Sequence, residues 1–94
     1  MSEVVNKAVE KLNERLSGFD STAKFVIEDE GAIMIDSGGA RAADEEAEVT
    51  LFASRETFEG ILDGSENPTS AFMTGKLRIE GSMPLAMQLG AALS

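Results

Sequence analysis

The acidic residues are the side chains of this sequence most capable of chemistry, but their spacing does not form a recognisable site. The run Asp44, Glu45, Glu46 and Glu48 lacks the alternating ligand positions and central glycine of a calcium loop. The chain contains no His and no Cys, so the commonest general base and all thiolate groups are missing. No acidic residue stands isolated in an apolar segment where burial would raise its pKa. We therefore expect no catalytic residue, no metal and no cofactor.

Two short polar motifs match known site patterns only in part. Asp20-Ser21-Thr22 resembles the serine motif that carries phosphopantetheine in acyl carrier proteins, but those proteins are all-helical and this serine precedes a strand pattern. Gly38-Gly39 lacks the spacing and the following Lys-Ser/Thr of a phosphate loop, and it does not open a helix. Both motifs are better explained as connections between elements.

The size and charge of the chain limit its partners. Its 94 residues allow a single domain, residues 1–94, with one compact core. Its net charge of −9 repels nucleic acid and anionic lipid head groups. The start MSEVVNKAVEKL does not resemble a signal peptide, and no stretch approaches the roughly 20 apolar residues of a membrane span. We expect a cytoplasmic protein with no nucleic-acid partner and at most transient membrane contact.

Hydrophobic periodicity predicts an amphipathic first helix. Val5, Val9, Leu12 and Leu16 recur at helical spacing between charged residues, and Gly18 stands where a left-handed C-terminal cap belongs. This helix should cover part of a sheet.

The strand patterns follow in the first half of the chain. KFVIEDEGAIMID (24–36) predicts a hairpin, because two apolar runs flank a turn-forming Asp-Glu-Gly. SGGARAADEE (37–46) is polar and contains glycine, and we interpret it as a loop. AEVTLFA (47–53) predicts a third strand with Val49 and Leu51 pointing inward. The three strands are expected to form a meander.

Capping signals predict two short helices next. Ser54 can cap a helix that ends at Gly64 and carries Phe58, Ile61 and Leu62 as one stripe. Asn67 then precedes Pro68, the favoured first residue of a helix, and Gly75 can end that second helix.

The last two elements raise the main question of the sequence. KLRIEG (76–81) predicts a strand with Leu77 and Ile79 on its buried face, and Ser82 can cap a C-terminal helix. That helix is apolar almost all the way round, which normally indicates burial on more than one side. The resulting order α-β-β-β-α-α-β-α predicts an α/β (α+β) fold, in which helices cover one face of a sheet.

The opposite face of the predicted sheet is more apolar than a wetted face usually is. It would carry Val26, Met34, Thr50, Phe52 and Arg78. A second copy of the chain could cover this face as a homodimer, and scattered exposed side chains are the alternative.

Residues 48–89 resemble the sterol carrier protein type 2 (SCP2) family. The resemblance depends on the Asn67-Pro68 start, Ser70-Ala71-Phe72, the block GKLRIEG (75–81), and Met83 followed by Leu85-Ala86-Met87. It implies a mixed, mainly antiparallel sheet of four to five strands, with helices over one face enclosing an apolar tunnel. It also implies a non-enzymatic protein that binds or transfers a fatty acid, fatty acyl coenzyme A or sterol-like lipid.

On this resemblance, the second side of the C-terminal helix would line the tunnel. The expected lipid-binding residues are Phe58, Leu62, Phe72, Met73, Leu77, Ile79, Met83 and Met87. The alternative function is an interaction or regulatory module with the same fold, a collapsed cavity and a partner surface at Val26, Met34 and Phe52.

Overall fold

The computed structural model describes residues 3–15 and 19–93, without the side chains of Arg15 and Leu93. The end predicted for the first helix at Leu16 and Gly18 lies outside the described residues. The elements are α1 (Glu3–Arg15), β1 (Ala23–Ile27), β2 (Gly31–Asp36), β3 (Gly39–Ala42), β4 (Val49–Ala53), α2 (Arg55–Asp63), α3 (Pro68–Met73), β5 (Leu77–Gly81) and α4 (Met83–Leu93).

The five strands form one sheet in the order β3-β2-β1-β4-β5. Only β1 and β4 pair in parallel, with Ala23 opposite Val49, so the predicted mixed and mainly antiparallel sheet is confirmed. The predicted meander is wrong, because β4 pairs with β1 and not with β2. The interpretation of residues 37–46 as a loop is also wrong, since β3 lies within this segment and extends the hairpin by a third strand.

The edge of β3 that has no neighbouring strand is hydrogen-bonded to a side chain of α1. The Asn13 amide nitrogen donates a hydrogen bond to the Ala40 carbonyl oxygen at 3.0 Å. The Ala40 N–H in turn donates to the Asn13 amide oxygen at 2.8 Å. Asn13 therefore replaces the neighbouring strand that Ala40 lacks on this side.

The helices cover one face of the sheet, and a continuous apolar core lies between the two layers. Val5 and Leu12 of α1 are fully buried in it. Phe58 of α2 meets Phe25 of β1 edge-on, with the ring centroids 4.9 Å apart, a favourable geometry for aromatic rings.

The predicted caps of the two short helices are present. The Ser54 hydroxyl accepts a hydrogen bond from the Thr57 N–H at 3.2 Å, and Gly64 ends α2 in the left-handed region. The Asn67 carboxamide oxygen accepts a hydrogen bond from the Thr69 N–H at 2.8 Å at the start of α3. These local signals fix where α2 and α3 begin.

The outer face of the sheet is partly covered by the chain itself. To pass from β3 to β4, residues 43–48 must cross β2 and β1, and Asp44 reaches the Lys24 ammonium on the outer face at 2.9 Å. Met34 is only 2% exposed there, although it lies outside the inner core. The Arg78 guanidinium lies 4.6 Å from the centre of the Phe52 ring. An interaction module working through this face would have little exposed apolar surface to use.

Candidate functional site

An apolar cleft of about 530 Å³ lies between α3, α4 and the sheet. Its lining comes from β1, β4 and β5 below and from the two helices at the sides. The lining residues are Phe25, Leu51, Pro68, Thr69, Phe72, Met73, Leu77, Ile79, Met83, Ala86, Met87, Gly90 and Ala91.

The floor of the cleft follows from the register of three strands. Phe25 lies opposite Leu51, and Leu51 lies opposite Ile79, so the three side chains form one row across the sheet. Leu77 is two residues from Ile79 and therefore points to the same face. This floor is apolar.

One wall of the cleft is a regular stripe along α4. Met83, Ala86, Met87, Gly90 and Ala91 recur at the spacing of one helical face. On another side of the same helix, Leu89 is fully buried and Leu85 packs against the core. The helix is thus apolar on two sides because one side packs on the core and the other faces the cleft.

The opposite wall is the short helix α3, which contributes Pro68, Thr69, Phe72 and Met73. It approaches α4 closely where Pro68 faces Gly90. A side-chain carbon built at Gly90 would lie 3.6 Å from the Pro68 Cβ, which is ordinary van der Waals contact. The two walls therefore meet where Pro68 packs against Gly90.

The mouth of the cleft carries large apolar side chains in contact with water. Met73 is 79% exposed, Met87 is 72% exposed, and Phe72 and Met83 are about 40% exposed. In the described part of the chain these four are the exposed large hydrophobic residues, and all four line this cleft. The cleft is consequently open to solvent at this mouth.

The chemistry of the cleft is that of an apolar binding surface. Thr69 supplies the one polar side chain among the described lining residues, and none of these residues is charged. No group of three or more metal-ligating side chains occurs within residues 3–15 and 19–93. The Arg41 guanidinium lowers the pKa of Asp36, but this pair lies on the β2–β3 hairpin and not at the cleft. The lining can exclude water from an apolar chain, and the hydroxyl of Thr69 is the only side-chain hydrogen-bonding group among the described lining residues.

Six of the eight residues predicted to bind lipid line this cleft, namely Phe72, Met73, Leu77, Ile79, Met83 and Met87. The other two, Phe58 and Leu62, do not. They are buried in the core, because the apolar stripe of α2 turns toward α1 and the sheet. They form part of the base of a separate, charged groove of about 250 Å³ between α1 and α2.

Sequence reasoning missed the lining residues that carry less obvious signals. Leu51 was placed on the inner face. Phe25 reaches the cleft only because β1 pairs in parallel with β4, which in turn pairs with β5. Gly90 and Ala91 are small residues, yet they continue the spacing of Met83 and Met87 and could have been found by extending that stripe.

A mixed sheet with helices on one face and an apolar cleft between helices and sheet defines the architectural class of the sterol carrier domains. The chain belongs to the SCP-2 sterol transfer family, whose family model matches residues 3–94. The resemblance and the fold predicted from the sequence are both confirmed.

Curated relatives of this chain are much longer proteins. It is 40% identical over 63 residues to peroxisomal multifunctional enzyme A of Dictyostelium discoideum, a match covering 67% of this chain and 13% of that protein. It is 43% identical over 47 residues to sterol carrier protein 2 of Homo sapiens, covering 50% of this chain and 9% of that protein. The chain therefore corresponds to a small part of each relative.

Solved structures of similar length share the whole fold. The sterol carrier protein domain 2 of Helicoverpa armigera has a TM-score of 0.78 and 25% identity, covering 96% of this chain and 85% of that chain. Sterol carrier protein 2 of Aedes aegypti, solved in complex with the C16 fatty acid palmitate, has a TM-score of 0.79 and 20% identity, with 100% and 97% covered.

Among the described residues, no helix is both long and apolar enough to cross a bilayer.

Proposed function

We propose that this domain binds a lipid in the cleft between α3 and α4 and transfers it without any chemical step. The ligand would be a fatty acid, a fatty acyl coenzyme A or a sterol-like lipid. The observation that carries the proposal is that the four exposed large apolar side chains of the described residues all surround one cleft. Exposed apolar groups gathered at one concave site are typical of ligand binding.

The size of the cleft fits a ligand of this class. Its volume of about 530 Å³ lies within the range of roughly 300–1,000 Å³ that is usual for small-molecule sites. Removing an acyl chain from water is favourable by about 0.8 kcal/mol per methylene, so about sixteen carbons gain on the order of 10 kcal/mol before the costs of binding. A membrane offers a similar gain, which makes uptake and release nearly balanced, as transfer requires.

The lining favours recognition of the chain over recognition of a head group. With one polar side chain among the described lining residues, Thr69, the cleft has little means of fixing a charged group. Met73, Met83 and Met87 are flexible and polarizable, so they can adapt to chains of different shape. We infer a broad preference for apolar chains whose head group stays in water. The palmitate held by the Aedes aegypti relative is a ligand of this kind.

The test compares two neighbouring substitutions on α4. Met87→Asp places a carboxylate in the cleft, whereas Gln88→Asp adds the same charge at an exposed position that does not line it. Binding of a fluorescent fatty acid, added from dilute solution, should weaken by at least about tenfold for Met87→Asp, because burying a charge beside an apolar chain is unfavourable. Gln88→Asp should bind like the unmodified protein.

Mass spectrometry of the unmodified protein under native conditions provides an independent readout. It should show a bound lipid that organic extraction releases and that the Met87→Asp protein lacks. An unmodified protein that carries no lipid and takes up no fatty acid or acyl ester at micromolar concentration would overturn the proposal. So would equal loss of binding in both variants.

A further inference from the structure

The helices that form the walls of the cleft carry no charged side chain. The segments 67–75 and 82–94, which contain α3 and α4, are free of Asp, Glu, Lys and Arg, although 27% of the whole chain is charged. We call the solvent-facing surface of α3 and α4 the lips of the cleft. The lips are therefore uncharged, although the protein has a net charge of −9.

The charges nearest to the lips in sequence are paired or point elsewhere. Lys76 forms an ion pair with Glu66 at 3.6 Å. Arg78 and Glu80 pair at 2.6 Å and lie on the outer face of the sheet, opposite Phe52 and Thr50. The lips therefore combine exposed methionines with a lack of charged side chains.

We propose that the lips dock on a neutral, zwitterionic lipid surface with the mouth of the cleft turned toward the membrane. This inference depends on the proposed function, because docking in this orientation would let an acyl chain enter the cleft without crossing water. Met73 and Met87 are the most exposed of the large apolar side chains in the described residues and would make the first contact. An anionic surface is disfavoured, because it repels a protein of this charge.

Two other arrangements fit the structure less well. A second copy of the chain seated on the lips would cover the mouth and obstruct the entry of a ligand. Docking through α1 would press Glu3, Glu10 and Glu14 together with Lys7 and Lys11 against the membrane, and these five charged residues are all exposed. The lips avoid both difficulties.

The orientation can be read from a single introduced tryptophan, because the chain has none of its own. Tryptophan emission of Met73→Trp should shift to shorter wavelength when phosphatidylcholine vesicles are added, and nitroxide-labelled lipids should quench it. Asn6→Trp, on the exposed side of α1, should show neither effect. A response of Asn6→Trp without one of Met73→Trp would overturn the proposal.

The lipid preference is tested by adding phosphatidylglycerol to the same vesicles. The response of Met73→Trp should decrease several-fold at about 0.01 M salt, where the screening length is about 30 Å, and largely recover at about 0.15 M, where it is about 8 Å. A response that increases with anionic lipid would contradict the proposal.

A pair of double variants separates docking from ligand binding. Ser70→Glu with Gln88→Glu charges the lips at exposed positions that do not line the cleft, and Asn6→Glu with Ser37→Glu adds the same charge to other exposed positions. Transfer of a fluorescent fatty acid from phosphatidylcholine vesicles should slow by roughly tenfold in the first pair and stay within about twofold in the second. Uptake from dilute solution should be unchanged in both.

The outcomes distinguish the two proposals. If the unmodified protein takes up no fatty acid even from dilute solution, the proposed function fails, whatever the tryptophan shows. If uptake is normal but the charged lips transfer as fast as the control pair, only the docking proposal fails. Sedimentation without vesicles provides the last outcome. If the unmodified protein is a dimer and the variant with Ser70→Glu and Gln88→Glu is a monomer, the lips contact a second copy and docking on lipid is overturned.

Discussion

The helical layer has two halves that rest on the same face of one sheet, but only one half is closed. Under α1 and α2 the side chains of Val5, Leu12 and Phe58 are completely buried. Between α3 and α4 the apolar side chains stand apart, and Met73 and Met87 are mostly in water. The same sheet thus supports a packed core on one side and an open cleft on the other.

The difference between the halves follows from the residues on the outer sides of the helices. The helices α1 and α2 alternate apolar and charged residues, so each has one buried side and one solvated side. The helix α4 has no charged side chain and places apolar residues on two sides. One side packs on the core, and the second faces the cleft and meets α3 where Gly90 packs against Pro68. A helix with too much apolar surface for its own core is therefore a sequence signal of a binding cleft.

The largest expected effect contrasts one residue from each half. Phe58→Ala removes a fully buried ring that contacts Phe25, and it should lower the free energy of unfolding by about 3–5 kcal/mol. Met87→Ala removes a mostly exposed side chain and should change this free energy by less than about 0.5 kcal/mol. Urea unfolding of the ligand-free proteins measures both. Similar losses in the two variants would mean that the cleft side is packed in solution.

A second contrast concerns the two glycines that flank β5. Both have a positive φ, +98° at Gly81 and +82° at Gly75. A methyl group at Gly81 would overlap the Glu48 carbonyl oxygen, whereas at Gly75 it would meet nothing within 4 Å. Gly81→Ala should destabilise by about 2–4 kcal/mol and Gly75→Ala by about 1–2 kcal/mol. Equal losses of stability in the two variants, measured by thermal or urea unfolding, would show that backbone conformation alone determines the effect of each substitution.

The smallest expected effect lies on the hairpin at the edge of the packed half. Arg41 donates hydrogen bonds to Asp36 and Glu45, and this contact lowers the pKa of Asp36 below its ordinary value of 3.8. The lowered pKa stabilises the fold above pH 3.8, and the contribution disappears as the pH falls through the pKa of the folded state. Asp36→Asn should therefore lower the urea midpoint slightly at neutral pH and leave it unchanged well below pH 3.8. A difference that persists in acid would assign the effect to the Gly38 N–H bond or to packing.

The start of each helix that has a capping side chain could be predicted from the sequence. Ser54, Asn67 and Ser82 are short-range signals, since each cap is completed within three residues. The strand β3 was missed because its two inward residues, Ala40 and Ala42, are small and the segment contains no β-branched or aromatic residue. The strand pairs with β2, and its other hydrogen-bond partner is Asn13, which lies 27 residues from Ala40 in the sequence.

The residues of one helix or strand that face the cleft could be predicted from the sequence. The packing of different elements against one another was harder to predict. The family resemblance placed Met83 and Met87 beside the ligand, and spacing placed Leu77 and Ile79 on one side of β5. All four residues line the cleft. Phe58, which was expected to bind lipid, lies instead in the core, where its ring packs against Phe25 of β1. The open mouth was equally out of reach, since it depends on how far two helices stand apart.

The hydrogen bonds between Asn13 and Ala40 have a consequence for the association of one molecule with another. An uncovered edge strand presents free N–H and C=O groups, to which a strand from another chain can add, and such addition can lead to aggregates. At the middle of β3 both groups are already occupied by one carboxamide. The sheet cannot be extended from this point unless α1 first moves away, so the helix that closes the core also keeps the edge of the sheet from recruiting neighbouring molecules.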